Sequence, residues 1–248
     1  MRRIYLLPAL VGLLSSVAAG PLVAQGVVPK QKAAQAPKAA AATGASPAAA
    51  APAAAASEAP SADDKTTKAI DGFRSAKFGM SEADVRVAMT KDFNAKPDAI
   101  KIQENASELT RSLLLQAPEL LPNGGTAELS YVFGYKSKSL IQVGAVWSKG
   151  TDTAMTPEKL FSNANILRAH FMGEGFKPDS IAVNMPVAGG IVMFRGSDAK
   201  DRSVILLLQG TFENKENNQR VLTPTSLLLF YVADAKSPDI FKLPPGQF

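Results

Sequence analysis

Two segments of this chain begin in the same way, and the strand-like runs after each of them restrict the fold to a helix-and-sheet class. In the first, Ser81 precedes Asp84 by three residues, an S-x-x-D capping box, and Met80 and Val85 have the spacing of a hydrophobic staple across it. Val85, Met89 and Phe93 then recur every four residues, one face of a helix that must stop before Pro97. In the second, Thr156 takes the N-cap position and Pro157 the first helical position, where its missing N–H costs nothing. Leu160, Ala164, Leu167 and Phe171 form the apolar stripe, and Gly173 and Gly175 end the helix. Strand-like runs come after the first helix at 99–103, 109–116, 127–134 and 140–148, and after the second at 180–184, 190–195, 203–210 and 226–233. Turn residues lie at Asn123-Gly124-Gly125 and at 197–201. The pattern predicts an α+β fold of antiparallel sheet with two main helices. A unit of about 75 residues, the distance from Met80 to Met155, is either duplicated in halves 72–150 and 151–235 or similar by coincidence, since identity between the halves is low.

The folded region is expected over residues 63–248. Ahead of it, Met1-Arg2-Arg3, an apolar run at 4–14 and small residues at 15–24 are the three parts of a secretory signal, with Ala19 or Ala24 as the cleavage point. An uncleaved anchor is the alternative, although the apolar run is short for a span of about 20 residues. Residues 25–62 hold 18 Ala and 5 Pro in 38 positions, and such a segment buries too little surface to offset its ordering entropy. It reads as a tether without chemistry of its own. The expected location is therefore periplasmic or secreted, and no later stretch is long and apolar enough for a membrane-crossing helix.

Charge and composition narrow the function further. Of 27 Lys and Arg, two precede residue 25 and three lie in 25–62, which leaves 22 against 21 acidic groups in 63–248. That balance gives no electrostatic footprint for a phosphate backbone, so nucleic acid is not an expected partner. The chain has no Cys, so it relies on a packed core without disulfides, and thiol catalysis, Cys-ligated zinc and iron–sulfur chemistry are excluded. The only histidine, His170, sits beside the Leu167/Phe171 stripe and reads as structural. No P-loop or G-x-S-x-G elbow occurs, Gly173-Glu174-Gly175 is a helix stop, and Asp198 and Asp201 flank a turn where Asp is common. Glu104 and Glu108 are the one candidate carboxylate pair. No cofactor and no metal site is predicted.

Strand faces supply the candidate binding residues. Leu129, Tyr131, Phe133 and Tyr135 alternate with smaller or polar residues, as do Ile141, Val143, Ala145 and Trp147. Tyr131, Phe133, Tyr135 and Trp147 are the candidate binding surface, with the core expected to claim at least half of them. The runs 204–208 and 227–232 are apolar on both faces, as in strands covered on two sides. One cover is expected to be the second helix, and the other the first half's sheet, a second copy or a partner.

The segment Phe78-Gly79-Met80-Ser81, with Val85 four residues further on and a strand meander after it, resembles the small envelope modules of the BamE/SmpA type. The tandem arrangement is similar to the β-lactamase-inhibitor-protein fold. The chain departs from these groups in having no lipobox cysteine, no disulfide and one clear helix per half. The resemblance implies a non-catalytic envelope protein that binds or braces another macromolecule, an envelope protein or a second copy, with peripheral membrane contact allowed. The alternatives are a carrier of a small apolar ligand or lipid, and a hydrolase working with carboxylates alone.

Overall fold

The computed structural model describes residues 68–214, 220–244 and 246. The expected signal at 1–24 and the tether at 25–62 lie outside these residues. A short hairpin, β1 (Gly72–Phe73) with β2 (Ala76–Lys77), leads into α1 (Glu82–Phe93). Four strands come next, β3 (Lys101–Asn105), β4 (Thr110–Ala117), β5 (Ala127–Phe133) and β6 (Leu140–Ser148). Then α2 (Pro157–Met172) opens a second series, β7 (Ala182–Val187), β8 (Gly190–Ser197), β9 (Ser203–Asn214) and β10 (Arg220–Val232). The last eight strands form one sheet in the order β3-β4-β5-β6-β10-β9-β8-β7, antiparallel throughout. This is the predicted α+β class.

Each helix starts where its cap places it. Ser81 Oγ accepts the Asp84 N–H at 3.2 Å while Asp84 Oδ2 accepts the Ser81 N–H at 3.3 Å, which satisfies two N–H groups that an uncapped helix would leave open. Asn94, in the left-handed region at φ 51°, stops α1 before Pro97. Thr156 Oγ1 caps α2 by accepting the Lys159 N–H at 3.2 Å, with Pro157 at the start of the helix. Leu160, Ala164, Leu167 and Phe171 are all buried, so the predicted stripe is the packed face of α2. Each such Leu or Phe adds about 1.5–3 kcal/mol by burial.

The two series repeat element for element and meet along their fourth strands, β6 and β10, with Ala145 opposite Leu229 and Gly144 opposite Phe230. Antiparallel pairing of equivalent strands is what a two-fold axis through the ladder produces. After each helix a one-turn 3₁₀ helix begins on proline, at Pro97–Ala99 and Pro178–Ser180. The residues there are Lys96-Pro97-Asp98-Ala99-Ile100 and Lys177-Pro178-Asp179-Ser180-Ile181, one K-P-D-x-I pattern at the same place in both halves.

One large core lies on a single face of the sheet, here called the front. It joins Val85, Ala88 and Met89 of α1 and the stripe of α2 to Leu113, Leu129, Tyr131, Val143, Trp147, Leu206, Leu208 and Leu229. Alternation sends Val192, Ile205, Leu207, Leu228, Phe230 and Val232 to the back, where they form a second buried cluster drawn from strands alone. The two-faced reading of β9 and β10 thus has α2 as its front cover. The first half's sheet is not the back cover, because β3 to β6 continue the same sheet sideways. No helix among the described residues is long and apolar enough to cross a membrane.

Candidate functional site

The sheet's front face decides the fate of the four aromatic candidates. Tyr131, Phe133 and Trp147 point toward the helices and are 0%, 3% and 0% exposed. They belong to the core, the fate expected for at least half of the four, and do not form an exposed aromatic surface together. Their alternation is visible in the strands, but the side that the helices take is not. Tyr135, past the end of β5, is half-buried, with its ring 5.6 Å from that of Phe241 and Lys138 Nζ 5.4 Å above it. It does not join the other three in a common surface.

Trp147 nevertheless reaches a site. A cleft of about 320 Å³ opens between α2, the β1–β2 hairpin and the connection at Leu120–Leu121, and Trp147 is part of its wall. Phe73, Phe171 and Tyr231 provide the aromatic walls, Ile166 and Leu167 the helix side, and Arg74 and His170 the polar groups. The rings form a chain across the molecule: Phe73 stacks 6.5 Å from Phe93 of α1 and 5.4 Å from Tyr231, which stands 6.4 Å from Phe171 of α2. Arg74 is fixed over this chain, 4.5 Å above the Phe93 ring, with Nη1 donating to the Asp92 carbonyl at 3.3 Å.

The front core leaves polar atoms open. Trp147 Nε1 and the Tyr131 hydroxyl are buried without a hydrogen-bond partner among the described residues, and a buried donor left open costs about 1–3 kcal/mol. Burial, then the Glu174 carboxylate, pushes the Tyr231 hydroxyl up to about 12, so it remains a neutral donor at physiological pH. Burial likewise raises Tyr131, helped by Asp92 and opposed by Arg74. His170 is largely exposed, with Nε2 3.5 Å from Glu174 Oε1, and Lys68 Nζ holds the other oxygen of that carboxylate at 2.6 Å. It is a surface residue at the cleft wall, not a core histidine.

Next to the cleft is an open groove between α2 and the far part of the β9–β10 hairpin, lined by Pro157, Phe161, Asn165, Ile166, Leu222 and Pro224. Phe161 and Ile166 are each 51% exposed, and Ile166 lines both cleft and groove. The remaining sequence candidates are dispersed. Glu104 pairs with Arg111 at 3.3 Å, while Glu108 lines a different cavity and accepts from Asn105 Nδ2 at 3.2 Å, so the two make no carboxylate pair. Asp198 is a structural hub: it is buried and accepts from Ile70 N, Lys200 N, Arg202 N and Arg202 Nε. No group of acidic residues or histidine among the described residues is placed to hold a metal ion.

Sequence reasoning missed Phe73, Arg74, Phe171 and Tyr231 as one site. Tyr231, the one hydroxyl-bearing residue in the run 227–232, is the available signal. Comparison with family models, curated proteins and solved structures finds no match to this chain.

Proposed function

We propose that this chain is a non-catalytic binding protein of the cell envelope, exported by its N-terminal signal, that holds a partner protein on its α2 flank. The partner's apolar anchor would seat in the aromatic cleft, and its neighbouring surface would rest on the groove. The observation that carries this reading is Ile166, half-exposed and shared by cleft and groove, which extends the apolar surface beyond what a small molecule would cover. A buried aromatic pocket with an apolar surround is the usual setting of a protein–protein anchor. The weak resemblance of Phe78-Gly79-Met80-Ser81 to envelope modules points the same way.

The test compares capture of partners from solubilised envelopes by the native chain and by Ile166→Asp, a surface change with little expected effect on folding. One stoichiometric partner retained by the native chain and lost by the variant supports the proposal. Equal capture by both contradicts it.

A second reading, a carrier of a small apolar ligand, is favoured by the cleft's volume and by Arg74 and His170, which suit an acidic or acceptor head group. Trp147 is the only tryptophan, so its emission reports directly on the cleft. Clean mass spectra of extracts from several preparations, with unchanged emission after extraction, would remove this reading.

A further inference from the structure

On the back of the sheet, away from the cleft, register places five residues in one cross-strand row. Gln103 pairs with Ser112, Ser112 with Val132, Val132 with Gln142 and Gln142 with Val232, from β3 across to β10. All five line one cavity of about 270 Å³. Its roof is the chain after β10, which crosses the ends of the strands as a strap. Ala233 N donates to the Ile141 carbonyl at 2.9 Å, Tyr135 N to the Asp239 carbonyl at 2.8 Å, and Phe241 N to the Glu108 carbonyl at 2.8 Å. Asp239 secures the strap with its side chain, which accepts from Lys136 N at 3.0 Å and Ser137 N at 2.8 Å.

The cavity is polar in a one-sided way. Glu108, Asp234 and Asp239 line it, and no Lys, Arg or His among the described residues does. Asp239 is taken up by Lys136 N and Ser137 N of the β5–β6 turn, and Asp234 Oδ1 accepts from Lys236 N and Ser237 N at 2.9 and 2.8 Å. Among the described residues, Glu108 receives only the Asn105 amide, on Oε2. Desolvation raises its pKa, as expected for a carboxylate drawn from water without a cation beside it. Thr110 and Ser112, 2% and 9% exposed, stand in the wall, and neither hydroxyl has a hydrogen-bond partner among the described residues.

We propose that this strapped cavity binds a small organic ammonium ion, its charge on Glu108 and its remaining polar atoms on Thr110, Ser112, Gln103 and Gln142. At ~30 Å³ per water-sized group, the volume holds roughly ten non-hydrogen atoms, the size of a short diamine or amino alcohol. Negative lining selects the cation, and the amide-and-hydroxyl row provides orientation.

The experiment is calorimetric titration of the full chain with putrescine and with its neutral counterpart, 1,4-butanediol. The expected result is saturable 1:1 binding of putrescine, at least tenfold tighter than the diol, weakened at least tenfold by Glu108→Gln and also by Thr110→Val. Glu104→Gln, which removes an exposed carboxylate outside the cavity, leaves it unchanged. Equal affinity for diamine and diol, absence of saturable binding, or an equal loss in Glu104→Gln overturns the proposal. Thermal melts of each variant establish that it is folded. Phosphatidylethanolamine vesicles at the same amine concentration separate the sources: co-flotation with the vesicles assigns the ammonium to a lipid head group, and soluble binding alone assigns it to a free amine.

Discussion

Asp198 accepts the main-chain N–H of Ile70 at 3.0 Å across 128 residues of chain, and so ties the segment ahead of α1 to the turn between β8 and β9. The same carboxylate holds Arg202, whose Nη1 reaches Asp71 at 2.6 Å. Burial opposes the charge on Asp198, but the hydrogen bonds from Ile70, Arg202 and Lys200 outweigh it and hold its pKa below the usual carboxylate value. Asp198→Ala leaves Arg202 and the Ile70 N–H without their partner, and an expected loss of about 3 kcal/mol is readable by denaturant unfolding. Because the folded value is depressed, this stabilisation is present above the unfolded pKa of about 3.9 and is lost as pH falls through the lower folded value. The native chain therefore loses stability on acidification over that range, and Asp198→Asn shows a smaller loss there.

Gly144 is small because Phe230 needs its place. A Cβ at Gly144 would stand 2.7 Å from Ser130 Oγ and 3.2 Å from the Phe230 ring. Gly144→Ala is expected to cost about 1–3 kcal/mol by overpacking the β6–β10 ladder. Ser130 Oγ is itself buried without a partner among the described residues, so Ser130→Ala alone should be neutral or stabilising. The double variant should recover part of the Gly144→Ala loss, measured as a double-mutant cycle in urea.

The two N-caps are equivalent devices in the two halves and should cost similar amounts to remove. Ser81→Ala and Thr156→Ala are each expected to destabilise by about 1 kcal/mol, and replacement by Gly by less. A Ser81→Ala effect near zero would mean that the capping box seen here adds nothing beyond solvent.

Glu108 provides the opposite sign. Its pKa is raised by desolvation, so the folded state disfavours its charge at neutral pH. Glu108→Gln should therefore raise the melting temperature near pH 7, with the advantage shrinking as pH falls and the native carboxyl takes up a proton. A lower melting temperature for the variant at pH 7 would contradict this account of the cavity.

Much of the scaffold is legible in the sequence because its signals are local. Ser81, Asp84, Thr156 and Pro157 state where helices begin, and the strand runs fall within a few residues of β3 to β8. The outer part of the β9–β10 hairpin escapes such reading because Phe212, Val221 and Leu222 are scattered among polar and charged residues and the run is interrupted by Pro224, where the register shifts. The K-P-D-x-I pattern escapes it too, since α2 is four residues longer than α1 and a fixed-period search passes over it. The cleft is not legible at all. Its walls come from residues 73 to 231, and no spacing rule joins Phe73 to Tyr231. Tyr131, Phe133 and Trp147 show the converse: an alternating aromatic strand reads the same whether its face meets helices or a partner.

The central claim, that α2's exposed flank is the docking face, is tested most directly by site-specific photo-crosslinking in intact envelopes. A photoreactive phenylalanine analogue placed at Phe161 or Ile166 is compared with one at Val87, which is 69% exposed on α1. The account predicts one discrete protein adduct from positions 161 and 166 and none from 87. No adduct from 161 and 166, or the same adducts from all three positions, would contradict it.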